Sequence, residues 1–182
     1  MLIKFYTLLS VVVISYTTAC AQKSPPPDGS WPVPDVPNLL FYIQRDPDIN
    51  TVVYTLNTDD SGAINQKDPI KIFWIKYTEG ATHKPLNILQ KDLAYGLSVK
   101  PKGHEQYDVK AVAYPKMAML LLKGKDNKYH ISLSLNNRQC VLKRIFIRIV
   151  GGNHLHPDVA YLDFHGTELY TGKVVTERVF PD

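Results

Sequence analysis

The sequence predicts an all-β fold, mainly antiparallel, built as a β-sandwich or a partly closed barrel of about ten strands with one short helix. Runs rich in β-branched and aromatic residues recur at short intervals along the 182 residues, and turn residues separate them. Eleven tyrosines and thirteen prolines suit strands and loops better than a helical bundle. This length supports one hydrophobic core rather than two.

The predicted strands follow one another from residue 39 to the C-terminal end. Turn sequences such as Asn136-Asn137 and Gly151-Gly152-Asn153 separate them. The predicted segments are Leu39–Gln44, Thr51–Leu56, Ile70–Tyr77, Tyr107–Tyr114, Met117–Leu122, Tyr129–Leu135, Val141–Val150, Val159–Phe164 and Lys173–Phe180.

Two segments carry more specific patterns. In residues 70–77 both alternating faces are apolar or aromatic, which is typical of a central strand buried on both sides. Between Leu86 and Leu93 the apolar residues, including Leu89, have helical spacing, and Gly96 is suited to end the segment. The sequence therefore predicts one short helix there.

Residues 1–21 are typical of an export signal. Lys4 provides the positive start, residues 8–14 form an apolar run too short to span a bilayer, and small residues follow. We therefore expect an exported protein that is periplasmic, secreted or anchored to a membrane through a lipid.

Two processing routes remain open at the end of this signal. Ala19-Cys20-Ala21 suits ordinary signal peptidase, which would leave Gln22 as the first residue. Residues 17–20 also form a loose lipobox, in which Cys20 would be lipidated and become the first residue. A lipobox usually has leucine three residues before the cysteine, and Thr17 in that place favours plain secretion.

Residues 22–37 are rich in proline and are predicted to form an extended tether, or a strap that Trp31 holds against the body. Residues 38–182 form the predicted single β domain. Cys140 is its only cysteine, so the domain has no intramolecular disulfide, and the residue is expected to be a small buried hydrophobe.

The charge pattern argues against a nucleic-acid partner. The formal net charge is +4, and the 21 lysines and arginines are scattered among 17 acidic residues. Nucleic-acid binding needs a concentrated basic face.

Four motifs carry a family resemblance: Phe41-x-x-x-Arg45-x-x-x-Ile49-Asn50-Thr51-Val52-Val53-Tyr54, Pro69-Ile70-x-Ile72-x-Trp74-Ile75, Ala94-Tyr95-Gly96 and Arg144-Ile145-Phe146-Ile147-Arg148. Together they resemble an exported bacterial family described as domain of unknown function 4833, over about residues 39–180. The resemblance implies an envelope or secreted context, and it implies no catalytic residues.

One loop has the order of a calcium-binding loop. Asn57, Asp59, Ser61 and Asp68 supply oxygen atoms at suitable spacing, and Gly62 allows a sharp turn. Asn57 replaces the usual leading aspartate, and Asp68 is shorter than the usual closing glutamate. An ordinary polar hairpin loop is the alternative.

The histidines provide the best candidate for a transition-metal site. His154 and His156 lie two residues apart, with Asp158 nearby and His165 further along the chain. Two imidazoles at this spacing on an extended chain can point to one side, but a catalytic zinc site usually needs three converging protein ligands. Surface histidines without a metal are the alternative.

Five aromatic residues form the candidate ligand-binding set: Trp74, Tyr77, Tyr95, Tyr107 and Tyr114. Such side chains can stack on a sugar ring or line a peptide groove, although the core of a β domain uses the same residue types.

Three hypotheses follow. The first is a non-catalytic exported module that binds an envelope protein, a glycan or a lipid, with no cofactor expected. The second is a metal-dependent hydrolase that uses His154, His156 and His165. The third is a structural envelope protein with a calcium-stiffened loop at residues 57–68. Local signatures of nucleophilic catalysis, such as Gly-x-Ser-x-Gly, do not occur in the sequence.

Overall fold

The computed structural model describes residues 31–153 and 156–181. Within these ranges, eleven strands form one mixed sheet that is curled into a half-barrel. The predicted all-β, mainly antiparallel fold is therefore confirmed. None of the helices in the described ranges has the length and hydrophobicity of a membrane span.

The elements follow the chain closely. The strands are β1 (Leu39–Asp46), β2 (Thr51–Leu56), β3 (Ile70–Lys76), β4 (Thr82–Pro85), β5 (Leu97–Gly103), β6 (Gln106–Ala111), β7 (Met119–Lys123), β8 (Tyr129–Leu135), β9 (Arg138–Gly152), β10 (Pro157–Glu168) and β11 (Val174–Val179). A 3₁₀ turn spans Tyr77–Glu79, and a single α-helical turn, α1 (Ile88–Gln90), continues as a π-helical turn over Lys91–Tyr95.

Strand β9 joins the parts of the sheet. One of its edges pairs with β10 from residue 140 to residue 152. The other edge is shared, because residues 138–141 pair with β8 and residues 144–148 pair in parallel with β1. Two four-stranded arms, β4-β3-β2-β1 and β8-β7-β6-β5, therefore start from the same edge of β9.

A β-bulge at Lys143 separates the two halves of β9. Leu142 lies opposite Gly166 and Arg144 lies opposite His165, so Lys143 has no partner on β10. One extra residue reverses the two-residue alternation of side chains. As a result Leu142, before the bulge, and Ile145, after it, both lie in the core.

The core is one cluster of side chains from both arms. In the first arm, Phe41 stacks on Tyr54 with ring centroids 4.1 Å apart. In the second arm, Leu121 and Ile131 are fully buried. Burying each such side chain stabilises the fold by about 1.5 to 3 kcal/mol.

Strand β3 differs from its prediction as a central strand. It lies between β2 and the short edge strand β4, and Lys71 is exposed while Phe73 is half-buried. Trp74 and Ile75 are buried on opposite faces. The apolar residues on both faces of β3 are therefore explained by partial burial of each face, and not by a central position in the sheet.

The predicted helix is present, but most of its apolar residues are not buried. Asn87 begins the segment with a capping box to Gln90. Leu86 is buried, whereas Leu89 and Leu93 are 59% and 61% exposed. The helical spacing of the leucines therefore predicted the helix correctly, although these leucines do not form an apolar face packed against the core.

The first described residues form a strap over the face of the sheet opposite to the core, which we call the outer face. Trp31 packs edge-on against Phe146 of β9, with ring centroids 5.5 Å apart. Gln44, which is buried, donates a hydrogen bond from Nε2 to the carbonyl oxygen of Pro32 at 2.7 Å. Residues 22–30 of the predicted tether lie outside the described residues.

Replacing Gly96 by alanine is expected to destabilise the protein by about 1 to 3 kcal/mol. A Cβ atom at this position would lie 2.0 Å from the carbonyl oxygen of Lys91, which is backbone and has little freedom to move. Gly151→Ala is the matched control, since its Cβ would meet only the carboxylate of Asp158, an exposed side chain. Urea denaturation measures both variants, and equal stabilities would contradict the prediction.

Candidate functional site

A polar groove of about 740 Å³ lies where the two arms separate. The first arm and the loop after β2 form one wall, and the hairpin between β7 and β8 forms the other. The lining residues are Asn38, Leu39, Leu56, Thr58, Gly62, Lys123, Asp126, Asn127, Lys128, Tyr129, His130 and Lys143. This volume lies within the usual range for small-molecule sites.

The groove carries more positive than negative charge. Lys123, Lys128 and Lys143 are exposed, and none of them forms an ion pair with another described residue. The single carboxylate, Asp126, lies 3.0 Å from Nε2 of His130 through both of its oxygens. Three ammonium groups therefore remain available to an anionic ligand.

Local structure explains how these cations converge. Lys143 is the extra residue of the bulge, and bulges often redirect a side chain beside a functional site. Lys123 and Lys128 flank a tight hairpin in which the amide of Gly124 bonds to Lys128 and Asn127 has a positive φ of 63°. The hydrogen bond from His130, together with that from the Lys128 amide, lowers the pKa of Asp126 and keeps its carboxylate ionised.

A second cluster, around Arg45, is structural. Arg45 donates hydrogen bonds of 2.7 Å to the Tyr95 hydroxyl and to Asp48, and its guanidinium lies 5.3 Å from the centroid of the Trp74 ring. Tyr54 donates to the carbonyl oxygen of Tyr95 at 2.7 Å. Residues from three of the four sequence motifs thus meet here, and they fix the segment after α1 to the first arm.

The five aromatic residues predicted to bind a ligand do not form one exposed surface. Trp74, Tyr95 and Tyr107 are 2%, 7% and 4% exposed. Tyr77 and Tyr114 are half-buried, and Tyr114 packs against Phe164 with ring centroids 6.1 Å apart. The three buried rings fill the core and offer no face to a sugar.

The described candidate metal ligands, His156, Asp158 and His165, also do not converge. His156 and Asp158 are exposed at the start of β10. His165 lies further along the same strand, roughly 20 Å from Asp158 at about 3.3 Å per residue. His154 lies outside the described residues. Within the described ranges, no group of three or more His, Cys, Asp or Glu side chains is placed to hold a metal.

The candidate calcium loop is held by its own turn hydrogen bonds. Oδ1 of Asp59 accepts from the amide and hydroxyl of Ser61 and from the amide of Ala63, at 2.6 to 3.0 Å. The hydrogen bond from the Ser61 hydroxyl lowers the pKa of Asp59. Asn57 donates to the backbone carbonyl of Asp68 at 2.7 Å. This geometry corresponds to the polar hairpin loop that was the alternative to calcium.

The chain contains two cysteines, of which the structure describes only Cys140. Cys20, the candidate lipidation residue, lies outside the described residues. Cys140 is fully buried in β9, and burial raises the pKa of its thiol, which opposes formation of the reactive thiolate.

On the outer face, a polar row crosses four strands in register. Tyr42 of β1 lies opposite Arg144 of β9, Arg144 opposite His165 of β10, and His165 opposite Thr176 of β11. Burial lowers the pKa of His165, and the positive charge of Arg144 lowers it further. In the adjacent row, Asp163 accepts two hydrogen bonds of 2.7 Å from Arg178.

Sequence reasoning did not identify the groove lysines or the row around Arg144. Residues 123–128 match only a turn pattern, and their lysines are separated in sequence from Lys143. These lysines come together only because β1 and β8 pair with the same edge of β9, and no short sequence pattern predicts that pairing.

Comparison with known proteins identifies one relationship. Residues 41–178 match the model of a family described as domain of unknown function (DUF4833). Searches of curated proteins and of solved structures gave no match.

The variant His165→Asn is expected to lose less stability than the wild type as the pH falls from about 7 to about 5. In the unfolded chain the imidazole takes up a proton near its ordinary pKa of 6.5, whereas the folded state lowers that pKa. Acid therefore favours the unfolded wild type below about pH 6.5, and the variant lacks this contribution. Urea denaturation across the pH range measures the effect, and parallel curves for the two proteins would contradict it.

Proposed function

We propose that the chain, which belongs to the DUF4833 family, is an exported, non-catalytic binding module whose groove between the two arms binds an acidic glycan. The observation that carries the proposal is the set of three lysines without carboxylate partners around one concave site. Clefts lined by one sign of charge attract ligands of the opposite sign.

The uncharged lining favours a glycan among anionic ligands. Asn38, Thr58 and Asn127 offer amide and hydroxyl groups that can hydrogen-bond to sugar hydroxyls. Tyr129 is half-buried and adds an aromatic surface with a polar tip. Leu39 and Leu56 provide only a small apolar contribution, which gives less support to a lipid tail.

The two other functions have less support. A hydrolase based on the histidines would need His165 beside His156, and the length of β10 keeps them apart. A calcium-stiffened loop would need the carboxylate of Asp59 to face a cation, whereas one of its oxygens is taken by three donors. A binding role needs neither arrangement.

The mature protein is expected to bind trigalacturonate, a trisaccharide with three carboxylates, more tightly than maltotriose, its uncharged counterpart. Isothermal titration calorimetry measures both. The triple variant Lys123→Gln, Lys128→Gln, Lys143→Gln should weaken trigalacturonate binding about tenfold or more, since each ion pair at such a site contributes up to about 1 kcal/mol. Added salt should weaken wild-type binding as well.

The matched control carries the same loss of charge outside the groove. Lys67, Lys110 and Lys173 are exposed and do not line the groove, so their triple glutamine variant should bind nearly as the wild type does. Equal losses in both triple variants would show a general charge effect, and that result would contradict the groove as the binding site.

We also propose that the chain is exported and that contact with a membrane, if the lipobox is used, occurs through Cys20. Mass spectrometry of the N-terminal peptide of the protein expressed in a bacterial host is expected to show Gln22 as the first residue. A diacylglyceryl group on Cys20 would contradict plain secretion but retain export. An intact Met1 start in the cytoplasm would contradict export.

A further inference from the structure

Arg144 differs from the other arginines of the chain. Three of them pair with aspartates, and Arg138 is exposed at the start of β9. Arg144 is half-buried, and none of its N–H groups donates a hydrogen bond to a described residue. The paired arginines and their partners are Arg45 with Asp48, Arg148 with Asp46, and Arg178 with Asp163.

The surroundings of Arg144 hold its guanidinium in place without satisfying it. The side chain lies over Phe146, with Cζ 4.9 Å from the ring centroid. Its Nε atom is buried and has no acceptor. Asp163 is near enough to interact with Arg144, but both of its oxygens already accept from Arg178.

An oriented, partly desolvated guanidinium without an acceptor is costly to the folded protein unless a ligand supplies one. A fork of N–H donors matches the two oxygens of a carboxylate. The phenol of Tyr42, opposite Arg144 in register, can donate a further hydrogen bond to the same group.

We propose that Arg144 is the anchor of a carboxylate-binding subsite on the outer face, formed with Tyr42 and His165, which takes a small organic acid or an acidic sugar. Arg144 is the only arginine or lysine of this row, and no described carboxylate forms an ion pair with it, which suits a ligand with a single negative charge. The ring of Phe146 supports the guanidinium from below, and Trp31 of the strap packs against that ring.

This subsite is independent of the proposed function of the groove. Lys143 lines the groove, whereas the next residue, Arg144, lies in the outer row. Two neighbouring cations of β9 therefore lie in two different places.

The test is NMR of the mature protein labelled with nitrogen-15, in which the Nε–Hε signal of each arginine is observed directly. Sodium galacturonate is expected to shift the Arg144 signal in a saturable manner, and sodium acetate should act in the same direction. Galactose, the uncharged counterpart of galacturonate, and sodium chloride at equal ionic strength should leave it in place. The Arg148 signal is the internal control and should not move.

Variants then separate binding from structure. Tyr42→Phe should weaken the affinity for galacturonate, measured from the shift of the Arg144 signal, by about threefold. Arg144→Gln should abolish the galacturonate-induced shift of the Tyr42 backbone amide signal. The triple groove-lysine variant should keep the full Arg144 response. An Arg144 signal that does not move, moves equally with chloride, or loses its response in the groove variant would overturn the subsite.

Discussion

The structure depends on one constraint: a single edge of β9 has to pair with two different strands. Because β10 occupies the opposite edge along nearly the whole strand, β8 and β1 must share what remains. Both arms must also turn their apolar faces toward one core. The bulge at Lys143 reconciles these demands, since it restores the inward direction of Ile145 after Leu142.

Both proposed sites arise from this arrangement. The arms separate at the bulge, so the space between them becomes a groove rather than packed core, and Lys143 lines it. Beyond the bulge, the reversed alternation places Arg144 on the outer face between Tyr42 and His165. If Lys143 were paired as a regular strand residue, Arg144 would turn toward the core, where an unpaired guanidinium is strongly unfavourable.

The sequence predicted the parts of this fold that local patterns determine. Alternating apolar residues located nine strands, and the spacing from Leu86 to Leu93 located the helical segment. The sequence did not predict strands β4 (Thr82–Pro85) and β5 (Leu97–Gly103). Both lie at the edges of the sheet and consist largely of exposed residues, and each contains a proline, so they lack the alternation of apolar residues that marks a buried strand. The candidate sites were harder to predict, because the groove joins residues near 40, 60, 125 and 143 that only the pairing of β9 brings together. Three of the family motifs contribute residues to one cluster in the structure, in which Arg45 contacts Trp74 and Tyr95. Because Trp74 and Tyr95 are buried, we interpret this cluster as structural.

The most direct test of this account is deletion of Lys143, measured by thermal denaturation beside the variant Lys143→Ala. Deletion removes the extra residue and leaves Leu142, Arg144 and Ile145 in regular alternation, so both halves of β9 keep their faces and the cooperative transition should be retained. Deletion of Phe146, where the strand has no extra residue to lose, should turn the rest of β9 over and abolish the cooperative transition. Lys143→Ala keeps the bulge and should remain within about 0.5 kcal/mol of the wild type, as expected for an exposed side chain. A Lys143 deletion variant that loses its cooperative transition, or a Phe146 deletion variant that unfolds at the wild-type temperature, would contradict the account.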